Sequence, residues 1–281
     1  MALDILSKKL NSNLTLLRSF RVKSGALCLL LMSMSMSIFS QGLSLYEKKS
    51  FVNKKDTLLY RILYPENYDS SKKYPLVLFL HGAGERGNDN EKQLEHGGKL
   101  FLKKSFRKDF PAIVVFPQCP ERRYWSNVKI KLNPDNTRNF NFPNGGNPTK
   151  PLSLVMKLLA QLQKDPSVDN SRIYVGGLSM GGMGTFELLS RNPEQFAAAV
   201  TICGGANLAT AGKFAEHVNM WIFHGAKDDI VPAELSITMA DAIRKEGGDV
   251  KLTIYPNDTH NSWDSAFDEP DLMGWLFSHK K

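Results

Sequence analysis

Short runs of apolar, β-branched and aromatic residues recur along the chain, and between them lie longer stretches with apolar residues three and four positions apart. The runs predict strands over Leu58–Leu63, Leu76–Leu80, Ala112–Phe116, Ile173–Gly176, Ala197–Ile202, Met220–Phe223 and Lys251–Tyr255. Several are apolar without interruption, as in Leu76-Val77-Leu78-Phe79-Leu80. Strands buried on both faces have this pattern, and a parallel sheet covered by helices buries them so. Helices are predicted over Leu152–Gln163, Gly182–Ser190, Ala233–Lys245 and Pro270–His279. The first places Leu152, Val155, Met156, Leu159 and Leu162 on one face. The alternation predicts an α/β fold of one domain, a mostly parallel central sheet with helices on both sides. Ligands of such sheets bind beyond the carboxyl ends of the strands, so the chemistry is to be sought just after them.

The first 40 residues break this pattern. A basic stretch ending at Lys23 precedes the apolar run Gly25–Phe39, and Ser40 and Gln41 follow. A basic segment, an apolar run and small residues near a cut describe a secretory signal peptide. The run is diluted by Ser33, Ser35 and Ser37 and is short for a membrane span of about 20 residues. The expectation is therefore a leader over 1–40, a catalytic domain over 41–281, and an exported protein with no stable membrane anchor after cleavage.

Charge changes the picture little. The net charge is +8, but residues 1–40 carry five basic residues against one acid, which leaves a surplus of +4 scattered over the remaining chain. No basic stripe gathers it, so a nucleic-acid partner is not expected. With a leader removed, Cys119 and Cys203 remain, both near strand ends but on strands not expected to be neighbours. A disulfide needs Cα atoms within about 7 Å, so two free, half-buried thiols are expected.

The segment Gly177-Leu178-Ser179-Met180-Gly181 follows a predicted strand and opens a predicted helix. It fits the G-x-S-x-G pattern, in which a tight strand-to-helix turn excludes side chains at the glycines and thrusts the serine into the open. A serine needs a base, and the base needs an acid to orient it. With partners in the order serine, acid, histidine, His260 in the polar loop after the last strand is the best base. Asp228 and Asp229, after the strand Met220–Phe223, are the candidate acids, and spacing alone does not separate them. An oxyanion hole needs two N–H donors. The Met180 backbone, next to the serine, supplies one. The Gly-rich loop His81–Gly87 supplies the other, at Ala83 with Gly84 as the alternative. No pattern for metal ligation, nucleotide phosphate binding or dinucleotide binding is present, so neither a metal nor a cofactor is expected.

The set HGAGERG (81–87), FPQCP (116–120), GGLSMGGMGT (176–185), HGAKDDIVP (224–232) and DTHNSW (258–263) resembles the phospholipase/carboxylesterase group of α/β-hydrolases. More narrowly it resembles exported bacterial esterases labelled predicted peptidases, which are similar to feruloyl esterases and polyhydroxyalkanoate depolymerases. The resemblance implies Asp228 as the acid, His260 as the base and Ala83 as the second oxyanion donor. It implies ester hydrolysis at Ser179 through an acyl-enzyme, with a serine peptidase as the alternative. A non-catalytic module of the same fold would be expected to lack a triad member, and none is missing. The stretch Gly204–Val218 is too short for a substantial cap domain, whereas the insertion Glu121–Pro151 should rim the site. Trp125 and Trp263 are expected to flank the cleft as substrate-binding walls, and the expected substrate is a small or polysaccharide-linked ester with a bulky acyl or aryl group.

Overall fold

The computed structural model describes residues 42–281, so the apolar run expected to act as an export signal lies outside the described residues. Residues 46–281 form one compact unit, and Gly42–Leu45 close a turn of their own with the Leu45 N–H on the Gly42 carbonyl. Eight strands of the compact unit make one sheet in the order β1-β2-β4-β3-β7-β8-β9-β10. They are β1 (Glu47–Asn53), β2 (Asp56–Leu63), β3 (Tyr74–Leu80), β4 (Ile113–Pro117), β7 (Val168–Leu178), β8 (Ala198–Ile202), β9 (Asn219–Gly225) and β10 (Val250–Tyr255). β1, β2 and β4 pair antiparallel, and every pairing from β4 through β3 to β10 is parallel. β3, β4 and β8 are buried along their whole length, as their uninterrupted apolar runs required. This is the α/β-hydrolase architecture, with no large cap.

The helices lie over the sheet where the apolar periodicity put them, with ends displaced by a residue or two. α2 (Lys150–Leu162) begins where the Thr149 hydroxyl accepts the Leu152 N–H, with Pro151 in its first turn. That turn satisfies an otherwise unpaired donor and starts the helix two residues before the apolar pattern does. α3 (Met180–Arg191) is buried on nearly every side because it crosses the middle of the sheet. α4 (Glu234–Lys245) buries Ser236, Met239, Ala240 and Ile243. α6 (Leu272–Ser278) is shorter than the predicted Pro270–His279, and α5 (Trp263–Phe267) precedes it.

Four features depart from expectation. β1 was not predicted, because its sequence EKKSFVN is charged and mostly exposed; it is an edge strand, where charge discourages pairing with other chains. α1 (Lys104–Asp109) is a single short turn-and-a-half that buries only Phe106, too little to leave a periodic signal. The insertion 121–151 is not a featureless loop. It carries an antiparallel hairpin of β5 (Lys129–Leu132) and β6 (Arg138–Asn141), a sheet of its own. Both cysteines are free and fully buried rather than half-buried, at the ends of β4 and β8, strands separated by β3 and β7.

The chain runs from β3 to β4 on one side and later enters β7 on the other side of β3. Neighbouring strands that lead away in opposite directions open a crevice at their carboxyl ends. The register aligns Leu80 of β3 with Gly177 of β7. The segments that follow, 81–84 and 178–181, therefore lie side by side. The approach is so close that a Cβ at Gly181 would sit 1.9 Å from the Leu80 carbonyl oxygen, backbone that cannot swing aside. Gly181→Ala should lower the melting temperature by roughly 6–12 °C, from a clash costing about 3 kcal/mol, or leave no soluble protein. Gly84→Ala, where nothing lies within 4 Å, should change it by no more than about 2 °C. Thermal melts of the two proteins check the pair.

Candidate active site

Ser179 stands at the tip of the turn between β7 and α3 with φ 52° and ψ −118°, a backbone conformation that L-residues rarely adopt. Such strain persists only where surrounding structure over-determines it. Here the Ser179 N–H is fixed to the Ile202 carbonyl and its own carbonyl accepts the Met183 N–H. The side chain is 8% exposed, and its Oγ lies 2.9 Å from Nε2 of His260. His260, five residues past the end of β10, turns its Nδ1 to Oδ2 of Asp228 at 2.8 Å.

Asp228 is the acid that the structure brings to His260; Asp229 is exposed and makes no hydrogen bond to the ring. Oδ1 of Asp228 accepts the N–H groups of Ile230 and Val231, both at 2.9 Å. Oδ2 also receives Nε2 of His224 at 3.1 Å. Burial pushes this carboxyl upward, but the bonds from His224, His260 and Val231 outweigh it and hold the group well below the usual carboxylate range. His224 precedes both acids in the chain, against the order serine, acid, histidine. In the structure it braces the acid instead, with Nδ1 against the Ser236 hydroxyl at 2.7 Å and Nε2 also on the Val231 carbonyl. A histidine four residues before an acid, at the end of a strand, was the available signal.

The loop after β3 is tied from behind. Trp125 Nε1 donates to the His81 carbonyl at 3.0 Å, His81 Nδ1 to the Gly82 carbonyl at 2.6 Å, and Arg86 Nε to the Ala83 carbonyl at 2.7 Å. His81 Nε2 accepts the Cys119 N–H, which leaves its proton on Nδ1, and burial drives its pKa down to about 4, so the ring is neutral. With three successive carbonyls engaged, the N–H groups of Ala83 and Met180 are spent on no backbone acceptor among the described residues. Both residues flank Ser179. Trp125 is thereby corrected: it is fully buried, stacked edge-on to His81, and supports the loop from behind rather than lining the cleft. Trp263 does line it, with its ring edge-to-face to His260 at 5.5 Å.

The cleft over Ser179 has a volume of about 440 Å³. Ala83, Glu85, Leu178, His260 and Trp263 line it together with Tyr124, Ile130, Arg138 and Phe140. The last four come from the insertion, so it borders the site as expected, but through the hairpin. Polar groups hold the hairpin's base to the body: Glu187 on α3 accepts the Asn127 N–H, Arg191 donates to the Gly146 carbonyl, and Asn207 donates to the Phe142 carbonyl. A second groove of about 380 Å³, lined in part by Phe142, Met183 and Arg191, contains neither Ser179 nor His260.

Of potential metal ligands, Cys203 Sγ, an Asp228 oxygen and a His260 nitrogen lie within 4.8 Å of one another. Two of the three are already bonded to each other, and burial holds the Cys203 thiol protonated, so the cluster is a poor cation site.

Comparison with known proteins agrees with the geometry. The chain has the fold of an α/β-hydrolase with a serine, a histidine and an aspartate in line at the carboxyl edge of the sheet. It belongs to the phospholipase/carboxylesterase family, whose model matches residues 67–269. It is similar to a structure titled a thermostable esterase, with 32% identity and a TM-score of 0.75 over 85% of this chain and 64% of that one. A probable feruloyl esterase C of Aspergillus terreus is 26% identical over 66% of this chain and 60% of its own length. A bifunctional acetylxylan esterase/xylanase of Neocallimastix patriciarum is 34% identical over 30% of this chain and 12% of its own. The chain thus spans less than two thirds of the length of these curated relatives.

Two predictions follow from the buried carboxylates. Asp228→Asn should lower kcat by roughly 10³–10⁴, because the amide cannot hold the ring in the same tautomer or stabilise its charged form; Asp229→Asn should cost less than about threefold. Steady-state kinetics rank the two, and equal losses would overturn the choice. Glu85, 6% exposed, keeps one carboxylate oxygen without a partner while the other faces His96 at 3.7 Å. Burial raises its pKa, and His96 opposes that only in part. A carboxyl with a raised folded pKa binds more protons folded than unfolded, so its contribution to stability falls as pH rises from its unfolded value through its folded one. Glu85→Gln should therefore be close to the parent in melting temperature at pH 4.5 and more stable than it at pH 7.5.

Proposed function

We propose that this protein is a serine carboxylesterase that cleaves acyl or aryl esters carried by polysaccharide fragments. The observation that carries the reading is the unbroken chain of hydrogen bonds from Ser179 through His260 to Asp228, at 2.9 and 2.8 Å, at the base of an open cleft.

In this reading Ser179 Oγ attacks the ester carbonyl as its proton passes to Nε2 of His260. Asp228, already ionised, orients the ring and stabilises the imidazolium. The carbonyl oxygen takes up negative charge against the Ala83 and Met180 N–H groups, donors held in place before the reaction begins. Such a donor is worth about 10²–10³ in kcat. The tetrahedral adduct collapses, the C–O bond to the alcohol breaks, and the proton on Nε2 goes to the departing alkoxide. The acyl group remains on Ser179 until a water, deprotonated by His260, attacks it and returns the free acid and the serine.

The acyl-carrying half of the reading rests on the cleft walls. Tyr124, Phe140 and Trp263 offer faces and edges for a ring, and without a cap the cleft has room for an extended alcohol half beyond it. Relatives named feruloyl esterase and acetylxylan esterase support esters of that kind. Export, favoured by the basic and apolar pattern of the first 40 residues, would bring the enzyme to polysaccharide outside the cell.

The test uses the parent, Ser179→Ala and a protein with Lys129–Asn141 replaced by a short Gly-Ser turn. A fluorophosphonate probe should label the parent and not Ser179→Ala, whose kcat should fall by several orders of magnitude. A feruloyl or acetyl oligosaccharide should exceed the matching methyl ester in kcat/KM, because contacts remote from the reacting bond help to position it. Removal of the hairpin should shrink that excess more than it slows the methyl ester. Labelling that persists without Ser179 would refute the nucleophile, and faster cleavage of peptide anilides than of any ester would refute the esterase reading.

A further inference from the structure

Arg138 is the feature of the cleft that the mechanism does not use. It lies on β6, whose register pairs Ile130 with Phe140 and Leu132 with Arg138. Side chains alternate across a strand, so these four share one face of the hairpin, and Ile130, Arg138 and Phe140 line the cleft with Ser179 and His260. Lys129, Lys131, Asn139 and Asn141 take the opposite face. The Arg138 guanidinium makes no hydrogen bond or ion pair among the described residues, although it is partly buried. The other charged groups nearby leave it uncompensated. Glu85 lines the same cleft, but it is 6% exposed, sits against Gly82 and faces His96 with no ion pair to Arg138, and Asp228 is engaged by His224, His260 and backbone. Arg86 adds positive charge: its field and that of Arg138 both reach the Tyr124 phenol.

A guanidinium presents a rigid fork of donors that matches a carboxylate in a two-bond pairing. Lining the cleft with no acidic partner of its own, it is placed for an anion that arrives with the ligand. We propose that Arg138 is a specificity-determining residue that pairs with a carboxylate on the ester substrate. The inference rests on the esterase reading and narrows it. The carboxylate has two chemical sources: the acyl half, as the half-ester of a dicarboxylic acid, or the alcohol half, as a uronic acid of the saccharide.

Two substrate pairs at low ionic strength distinguish the sources. The acyl arm compares 4-nitrophenyl butyrate with 4-nitrophenyl hemisuccinate, and the alcohol arm an acetylated galactoside with the matching acetylated galacturonide. In one arm the charged ester should be favoured about tenfold in kcat/KM. Arg138→Gln should remove that preference, Arg138→Lys should keep part of it, and 0.5 M NaCl should shrink it in the parent, since a half-exposed ion pair is screened by salt. No preference in either arm, or one that survives Arg138→Gln, overturns the proposal. Calorimetry on the Ser179→Ala protein, with galacturonate against galactose and succinate against butyrate, separates the two readings. Carboxylate binding that depends on Arg138, without turnover of any ester, would sink the esterase reading and leave only the carboxylate pairing at Arg138 standing. Turnover of neutral esters with no carboxylate preference would do the reverse.

Discussion

The pairing of β3 with β7 governs the site. With Leu80 level with Gly177, the backbone of the turn at Ser179 passes against the backbone of the loop after β3, and two glycines, 177 and 181, are all that fits between them. Contact between backbones leaves little freedom for adjustment, which is why the two halves of the site keep their spacing without any bond joining Ala83 to Ser179. The strained φ of Ser179 follows from the same constraint: the chain must reverse from strand to helix within the space that Leu80 permits. Everything else in the site is attached to this core by side chains. Asp228 and His260 reach it from the ends of β9 and β10, strands held in register with β7 through β8.

Polarity is distributed in layers around that contact. Ser179 and His260 line the cleft, Asp228 lies buried behind His260, and His224, His81, Trp125 and Arg86 spend their hydrogen-bonding groups on carbonyls and on the acid. His224, His81 and Trp125 are buried, and a buried polar group without a partner costs about 1–3 kcal/mol, so each has reason to hold its bond. The outcome is a set of reacting groups whose orientation is settled before a substrate arrives. Electrostatic stabilisation of a developing oxyanion depends on such prior orientation, since donors that must turn during the reaction lose part of the benefit.

Legibility in the sequence followed the range of the interactions. The buried strands β3, β4, β7, β8 and β9 were plain because burial on both faces leaves unbroken apolar runs. Ser179 and its glycines were plain because one tight turn contains the whole constraint. Asp228 and His260 needed chain order, and the choice between Asp228 and Asp229 needed a family resemblance, because two neighbouring carboxylates differ only in which one the loop turns inward. Trp125 was misjudged for a related reason. An indole close in sequence to the cleft can face it or stand behind it, and only the bond to the His81 carbonyl decides. The edge strand β1 and the β5–β6 hairpin were missed because short, exposed strands carry no apolar period.

That hairpin divides the site into parts under different physical control. The floor and the reacting groups belong to the sheet, where a change of one methyl group meets backbone. The facing wall belongs to a two-stranded ribbon that is exposed at Ile130 and Leu132, 42% and 60%, and is fastened mainly at its base, through Asn127, Phe142 and Glu187. A ribbon fixed in this way can alter the residues it turns toward the cleft without disturbing β3, β7 or the turn at Ser179. On the proposed function, chemistry and substrate choice are thus separable in this molecule: the first would rest on contacts that tolerate almost no substitution, and the second on side chains whose replacement would change what the cleft accepts while Ser179, His260 and Asp228 stay in place.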